Sequence, residues 1–189
     1  MENKLLIITT FACLYGFFEV FMSLRQRRKS TITKSGDKGS IWFLFICIGL
    51  GYGLSFLIRS NRIGRIDEWN TVFIIGAILT VIGLIVRITS IMTLKKQFTY
   101  TVTKINNHEL IEKGLYKIVR HPGYLGQLII FLGISTSLSN WLSIIFMIVP
   151  VMIGYIYRIR IEEKFMVEQL GQKYLDYQTR TKKLIPKIY

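Results

Sequence analysis

The chain has few cysteines and few histidines for its 189 residues, with two of each. Cys13 and Cys47 have neither the spacing of metal ligands nor that of a disulfide framework. Both lie within apolar runs, where a free cysteine behaves as a small buried hydrophobic residue. His108 and His121 lack the acidic or cysteine partners of a metal site. No bound metal and no disulfide scaffold are therefore expected.

Acidic side chains are also scarce, since 11 Asp and Glu stand against 25 Lys and Arg, giving a formal net charge of +14. The same chain is 51% hydrophobic and 19% charged. Such a high apolar content argues against a disordered chain, which has low hydrophobicity. It also argues against a nucleic-acid-binding protein, which gathers its basic residues on a solvated face. The length is typical of one domain.

The apolar residues are concentrated in long runs that carry almost no charge. A helix needs about 20 residues to span the hydrocarbon core of a bilayer. Three runs are close to that length and a fourth, of 35 residues, suits two short spans: residues 5–24, 41–58, 69–86 and 123–157. Ser139 and Asn140 mark the turn within the fourth run, and Trp141 is an interfacial anchor. We therefore predict an all-α polytopic membrane protein with about five transmembrane helices.

The basic residues predict how these spans are oriented. The loop after the first span, the loop after the third span and the C-terminal tail hold six, six and eight Lys and Arg, which is twenty of the 25. The N-terminus and the remaining loops hold four, and Arg87 lies within the third span. Basic loops stay on the cytoplasmic side. The N-terminus is therefore expected outside, and the three basic segments in the cytoplasm.

Two features within the spans have more than one interpretation. Gly49 and Gly53 form a GxxxG pair, which favours close helix packing over a nucleotide-binding loop because no strand precedes it. Arg87 is a cation within the membrane, where charged residues are commonly functional. It also lies near the cytoplasmic end of its span, where its side chain can extend to the interface. Both interpretations remain open, and Glu19 is expected to be structural.

The fourth span is predicted to begin at Pro122. Proline suits the first position of a helix, and it keeps the preceding His121 out of the helical conformation. The backbone N–H groups of Gly123, Tyr124 and Leu125 are then expected to be free at the cytoplasmic surface. A helix N-terminus of this kind favours a carboxylate or a phosphate.

The tail is predicted to form an amphipathic helix at the membrane surface. Apolar and aromatic residues recur there near helical spacing: Phe165, Met166, Leu170, Tyr174 and Tyr177. Arg158 and Glu162 are four positions apart and share one helix face. On their own they are explained as a surface ion pair of under about 1 kcal/mol.

Four short patterns in the second half of the chain, taken together, resemble the isoprenylcysteine carboxyl methyltransferase family, with which membrane phospholipid N-methyltransferases share part of the pattern. The patterns are Gly114-x-Tyr116-x-x-x-Arg120-His121-Pro122-x-Tyr124-x-Gly126, Arg158-x-x-x-Glu162-Glu163, Gly171-x-x-Tyr174-x-x-Tyr177 and Leu184-x-Pro186. They occur in the order and spacing of the family. The resemblance covers the chain from about residue 95 to the end.

The resemblance implies methyl transfer from S-adenosylmethionine on a helical membrane scaffold. The residues that it assigns to the cofactor are His108, Glu109, Leu110, Ile111, Tyr116, His121, Pro122, Gly123, Tyr124 and Glu162. Arg158 is assigned to the substrate carboxylate, and Arg158 and Glu162 are the catalytic residues. Residues 1–94 then form a three-helix transmembrane region, and residues 95–189 form the cofactor-binding and catalytic region. In the animal enzymes a Gln precedes the cofactor segment, where this chain has Thr101 and Thr103 nearby, and those enzymes carry additional N-terminal spans.

Elementary chemistry agrees with these roles. A helix N-terminus after His121 suits the carboxylate of S-adenosylmethionine, Glu162 suits its ammonium or ribose hydroxyls, and the rings of Tyr116 and Tyr124 suit its cation or adenine. A carboxylate acceptor is already ionised at pH 7 and needs no strong base.

The expected acceptor is a membrane-embedded isoprenylcysteine carboxylate, although other acceptors stay open. A phospholipid amine would require His121 or Glu163 as a base. A small apolar thiol or hydroxyl compound and a scaffold without activity are the remaining alternatives. Besides the acceptor, the expected partner is the lipid bilayer.

Overall fold

Helices form the structure, a computed structural model that describes residues 2–29, 37, 39–100 and 110–186. In chain order the helices are α1 (Glu2–Lys29), α2 (Ser40–Ile58), α3 (Trp69–Leu94), α4 (Pro122–Ser137), α5 (Trp141–Leu170) and α6 (Gln172–Arg180). Two 3-10 turns, Lys95–Gln97 and Gly114–Lys117, lie between α3 and α4. Over these described residues the chain has no β-strand, so the prediction of an all-α protein is confirmed.

The predicted starting points of α4 and α5 are confirmed. Pro122 occupies the first turn of α4, and the preceding His121 is outside the helical conformation with φ −122° and ψ 56°. Asn140 begins α5 by accepting a hydrogen bond from the backbone N–H of Leu142 at 2.9 Å. The side chains that signal these two ends therefore act locally, as caps usually do.

Four helices are long and apolar enough to cross a membrane: Asn3–Arg25, Ser40–Ile58, Trp69–Leu94 and Trp141–Leu170. Helix α4 has 16 residues, which at about 1.5 Å per residue gives about 24 Å. That is less than the hydrocarbon thickness of about 30 Å. The polytopic class is therefore supported by four helices, and the fifth span stays a prediction.

Small residues determine how closely α3 and α4 pack. A Cβ on Gly83 would lie 2.7 Å from the carbonyl oxygen of Gly126, and a Cβ on Gly76 would lie 2.5 Å from that of Gly133. For packing within the chain, the prediction for Gly49 and Gly53 is wrong, because nothing lies within 4 Å of a Cβ at either position. Helix α2 instead contacts Met147 of α5 closely through Gly51. Gly51 is two residues from both Gly49 and Gly53, which is a rotation of about 200° around the helix, so it lies on nearly the opposite face. Packing of the Gly49 and Gly53 pair between two chains stays a prediction.

Gly83→Ala is expected to lower the stability of the fold by about 1–3 kcal/mol or more, because the new methyl group meets backbone atoms that cannot rotate away. Gly49→Ala is the matched control. It adds the same methyl group to a helix with nothing within 4 Å, and alanine favours the helix by about 1 kcal/mol. Thermal unfolding of the detergent-solubilised protein measures both. Equal melting temperatures for the two variants would contradict this packing.

Different loops and helix termini lie at the two ends of the helix bundle. At one end the loop between α2 and α3 meets the turn between α4 and α5, where the Asn140 side chain donates to the backbone oxygens of Asn61 and Ile63 at 3.3 and 3.2 Å. At the other end α1, α3 and α5 finish, while α2 and α4 start. The described parts of the three basic segments adjoin this second end, which also holds the site described below.

Helix α5 continues without a break from its apolar half through Arg158 and Glu162 to Leu170. It ends at Gly171, whose φ of 57° suits glycine, and α6 follows. The tail is therefore not a single surface helix, because its first part extends α5. Of the two cysteines, Cys47 is buried and Cys13 is exposed on α1, so the expectation of burial holds for one of them.

Candidate active site

A cavity of about 150 Å³ opens at the end of the bundle where α2 and α4 start. Of the residues assigned from the sequence, eight line it: Leu110, Ile111, Tyr116, His121, Gly123, Tyr124, Arg158 and Glu162. Pro122 is buried at the start of α4, next to them. His108 and Glu109 lie outside the described residues. Segments that are far apart in the chain therefore meet at one cavity.

The hydroxyl of Tyr124 links Arg158 and Glu162. It donates a hydrogen bond to Oε2 of Glu162 at 2.8 Å and accepts one from Nε of Arg158 at 3.2 Å. The Tyr124 ring stacks between His121 and Tyr155, with ring centroids 5.7 and 5.1 Å away. Arg158 and Glu162 do share a helix face, as the spacing predicts, and the half-buried phenol of Tyr124 from α4 joins them.

Arg158 is held by partners that the sequence does not reveal. Its Nη1 pairs with Asp37 and donates to Oγ of Ser40 at 2.6 Å, and its Nη2 donates to the backbone oxygen of Tyr100 at 2.6 Å. The side chain is only 2% exposed. The guanidinium therefore connects α5 to the start of α2 and to the segment after α3. The sequence does not indicate that Asp37 pairs with Arg158, since Asp37 stands out only as an acidic residue in a basic loop.

A second polar cluster joins the start of α4 to the C-terminal segment. Arg120 pairs with Glu163 through Nε and Oε1 at 2.6 Å, and its Nη1 donates to the backbone oxygen of Thr181 at 2.5 Å. Nε2 of His121 lies 3.4 Å from the same Glu163 oxygen. The backbone N–H of His121 also donates to the carbonyl oxygen of Lys183 at 3.0 Å. The histidine at the cavity wall is thus fixed from both sides.

Tyrosines of α6 close the outer side of the cavity. Tyr174 and Tyr177 both line it, and the hydroxyl of Tyr177 donates to the backbone oxygen of Tyr116 at 2.6 Å. Burial raises the pKa of the Tyr116, Tyr174 and Tyr177 hydroxyls above their usual range. All three therefore stay neutral near pH 7, where they are hydrogen-bond donors with polarisable rings.

The N-terminus of α4 differs from the prediction. The backbone N–H groups of Tyr124 and Leu125 both donate to the carbonyl oxygen of His121 at 3.1 Å. They are therefore not free to bind an anion, and the expectation is wrong for these two groups. The first turn closes on itself because the backbone bends at His121. The dipole of α4 still favours negative charge at this position.

Arg87 and Glu19 form a buried ion pair at the cavity wall. Nε and Nη2 of Arg87 donate to the two carboxylate oxygens of Glu19 at 3.2 and 3.0 Å, and the hydroxyl of Tyr15 donates to Oε1 at 2.9 Å. Arg87 is 5% exposed, so its side chain does not extend to the interface. The burial of Arg87 rules out the interpretation in which its side chain extends to the membrane interface. Both charged residues line the cavity.

The cavity lining has a polar part and an apolar part. Gln97 was missed from the sequence, and its Oε1 is buried without a hydrogen-bond partner in the described part of the chain. Such an acceptor requires a donor from a ligand or a water. Helix α2 contributes a wholly apolar wall of Ile41, Leu44, Phe45 and Ile48. Thr101 and Thr103 lie outside the described residues.

The chain matches known proteins over the region that carries this cavity. A family model described as phospholipid methyltransferase matches residues 71–173. Protein-S-isoprenylcysteine O-methyltransferase B of Arabidopsis thaliana is 33% identical over 113 residues, which cover 59% of this chain and 57% of that protein. A probable protein-S-isoprenylcysteine O-methyltransferase of Oryza sativa subsp. indica is 30% identical over 137 residues, 71% of this chain and 72% of that protein.

A solved structure supports the same relationship. The structure of a eukaryotic intramembrane Ras methyltransferase, isoprenylcysteine carboxyl methyltransferase, aligns with a TM-score of 0.60 at 27% identity. The alignment covers 76% of this chain and 52% of that one. The chain thus spans little more than half the length of the Arabidopsis relative and of this structural neighbour.

Proposed function

Because the chain belongs to the isoprenylcysteine carboxyl methyltransferase family, we propose that it is a membrane enzyme transferring a methyl group from S-adenosylmethionine to the carboxylate of a C-terminal isoprenylcysteine. One observation carries the proposal. The family residues Tyr116, His121, Tyr124, Arg158 and Glu162, drawn from separate segments, line a single cavity. A scaffold without activity has no need for these side chains to converge.

The polar part of the cavity supports binding of S-adenosylmethionine, which supplies a methyl group activated by a sulfonium. Glu162 is half-buried and accepts a hydrogen bond from the neutral Tyr124 hydroxyl, so its negative charge suits the ammonium or the ribose hydroxyls. Gln97 offers a buried acceptor to a ligand donor. Tyr116 and Tyr124 provide rings for a cation. These residues would hold the methyl donor, together with the segment before Leu110.

The protein's remaining task is to position the acceptor. An acceptor carboxylate is ionised near pH 7, so no residue has to remove a proton from it. The residues of the cavity have to hold the carboxylate and the methyl group of the donor in line. Arg158 is the proposed contact for the acceptor carboxylate, with its orientation set by Asp37 and Ser40. The apolar wall of α2 supports an acceptor that carries a lipid and arrives from the bilayer.

A phospholipid amine is the second candidate, favoured by the geometry of His121. An amine must lose a proton to become a nucleophile, and His121 lies at the cavity wall with Nε2 3.4 Å from Glu163. Glu163 is itself paired with Arg120 at 2.6 Å, so the histidine is the better base of the two. The name of the matching family model, phospholipid methyltransferase, is consistent with this candidate.

The proposed orientation puts the N-terminus outside and the cavity and C-terminus in the cytoplasm. The cavity lies at the end of the bundle that adjoins the three basic segments, which hold twenty of the 25 Lys and Arg. Positive segments remain cytoplasmic and are attracted to anionic lipid. The functional division into residues 1–94 and 95–189 stays a prediction, and helices of both parts contribute to the cavity wall.

Two measurements on the purified protein test the proposed function. S-adenosylhomocysteine is expected to bind with a measurable heat in an isothermal titration. Incubation with methyl-labelled S-adenosylmethionine and N-acetyl-S-farnesylcysteine is expected to give a base-labile product, because a methyl ester hydrolyses in base. Base-stable label on phosphatidylethanolamine would favour the amine candidate instead. The absence of binding at millimolar ligand would overturn both candidates.

A further inference from the structure

Arg158 and Glu162 carry opposite charges on one face of α5, yet they do not pair with each other. Side chains of opposite charge that are four residues apart on a helix commonly form a direct ion pair. Here both residues line the cavity, and the ion-pair partner of Arg158 is Asp37. Within the described residues no salt bridge joins Arg158 to Glu162. Something in the cavity wall therefore keeps the two charges apart.

The hydroxyl of Tyr124 lies between the two charges. It accepts a hydrogen bond from Nε of Arg158 at 3.2 Å and donates one to Oε2 of Glu162 at 2.8 Å. The direction of both bonds is fixed by the side chains, because a guanidinium only donates and an ionised carboxylate only accepts. One neutral group thus satisfies both ions without neutralising either of them.

The ring of Tyr124 fixes the hydroxyl at this position. It is stacked between His121 and Tyr155, with interplanar angles of 17° and 30°. Tyr124 belongs to α4, whereas Arg158 and Glu162 both belong to α5. The separation of the two charges therefore depends on the packing of α4 against α5 and not on the charged side chains themselves.

We propose that Tyr124 is a positioning residue whose hydroxyl prevents Arg158 and Glu162 from forming an ion pair, an inference that rests on the proposed methyl transfer. A direct pair would join two full charges, which attract more strongly than one ion and a neutral phenol. The cofactor would then have to displace Arg158 from Glu162, and the acceptor carboxylate would have to displace Glu162 from Arg158. With the hydroxyl in place, each charge stays available to its own ligand.

Tyr124→Phe removes the hydroxyl and keeps the stacked ring. The Nε–H of Arg158 and the carboxylate of Glu162 lose their shared partner and are expected to pair directly. S-adenosylhomocysteine is then expected to bind about tenfold or more weakly in an isothermal titration, because Glu162 is occupied. Tyr157→Phe is the matched control, since Tyr157 is 42% exposed and packs against Phe43. Thermal unfolding verifies that both variants are folded, and equal affinities would overturn the proposal.

Removing the arginine distinguishes a separating hydroxyl from one that contacts the cofactor directly. If Arg158 captures Glu162 in Tyr124→Phe, adding Asp37→Asn and Arg158→Gln releases the carboxylate. The triple variant is therefore expected to regain S-adenosylhomocysteine affinity to within about threefold of wild type. A hydroxyl that is purely structural, or that binds the cofactor itself, gives no such recovery. A triple variant as weak as Tyr124→Phe would overturn the proposal.

The acceptor provides the reciprocal test at saturating S-adenosylmethionine. The KM for N-acetyl-S-farnesylcysteine is expected to rise about tenfold or more in Tyr124→Phe, because Arg158 is occupied. In Tyr124→Phe/Glu162→Gln it is expected to return to the value of Glu162→Gln alone. A KM that is not restored would contradict the separating role. If the wild type bound no S-adenosylhomocysteine, the proposed function itself would fail, which is a separate outcome from normal binding by wild type and Tyr124→Phe alike.

Discussion

Glu162→Gln is expected to weaken S-adenosylhomocysteine binding by about 10- to 100-fold while the fold is retained. The substitution keeps the shape of the side chain and its contact with the Tyr124 hydroxyl, but it removes the negative charge. A hydrogen bond to a charged group contributes about 1.5–3 kcal/mol, and about 1.4 kcal/mol corresponds to a factor of ten. Isothermal titration measures the affinity, and thermal unfolding verifies that the variant is folded.

Arg158 provides the contrast, because its proposed partner is the acceptor. Arg158→Ala alone would remove the cation that pairs with the buried Asp37 carboxylate, and breaking a buried ion pair from one side costs about 3–5 kcal/mol. The appropriate variant is therefore Asp37→Asn/Arg158→Gln. The dissociation constant for S-adenosylhomocysteine is expected to stay within about threefold of the wild-type value, because Arg158 contacts Asp37 and Ser40 at the start of α2. The variant is expected to lose most of its methyl-transfer activity. An equal loss of cofactor affinity in both variants would contradict this division of roles.

Arg120→Ala is expected to destabilise the protein by about 3 kcal/mol or more, because the change leaves Glu163 buried beside one fewer cation. It also removes the hydrogen bond from Arg120 to the backbone oxygen of Thr181, which holds the segment after α6. Lys183 remains 3.9 Å from Glu163, so the effect lies at the lower end of the range for a broken buried pair. For a chain of this size, the melting temperature should fall by about 10 °C.

Arg180→Ala is the matched control for this effect. Arg180 also pairs with a glutamate, Glu112, at 3.1 Å, but its side chain is 61% exposed. A solvated pair of this kind contributes about 1 kcal/mol or less. Thermal unfolding in the same detergent compares the two variants directly. If both lowered the melting temperature equally, the Arg120 cluster would not hold the C-terminal segment as described.

The local features of the fold were predictable because they depend on neighbours in the chain. Pro122 and Asn140 act within one helical turn, so the ends of α4 and α5 follow from the residue types themselves. The four-residue spacing of Arg158 and Glu162 sets a common helix face, and the structure directs both to one cavity. The length and placement of the apolar runs likewise predict four of the long helices.

The partners of these residues were not predictable, because they depend on helix rotation and distance in the fold. Asp37 reaches Arg158 across 121 positions of the chain, and Glu19 reaches Arg87 across 68. No periodicity within either segment encodes such a pairing. Within the chain, the GxxxG prediction is wrong for the same reason, since α2 packs against α5 through Gly51, which lies about half a revolution away from Gly49 and Gly53.

The sequence alone thus determined the helical class, the concentration of positive charge at alternate loops and the family motifs, all of which are properties of local spacing and composition. The tertiary structure decided what the motif residues do in relation to one another. It surrounds Arg158 with protein partners, leaves Glu162 at the cavity, and brings Arg87 from the third helix to the start of the fourth. Long-range packing makes those choices, because a buried charge must find a partner or a ligand wherever the fold places it.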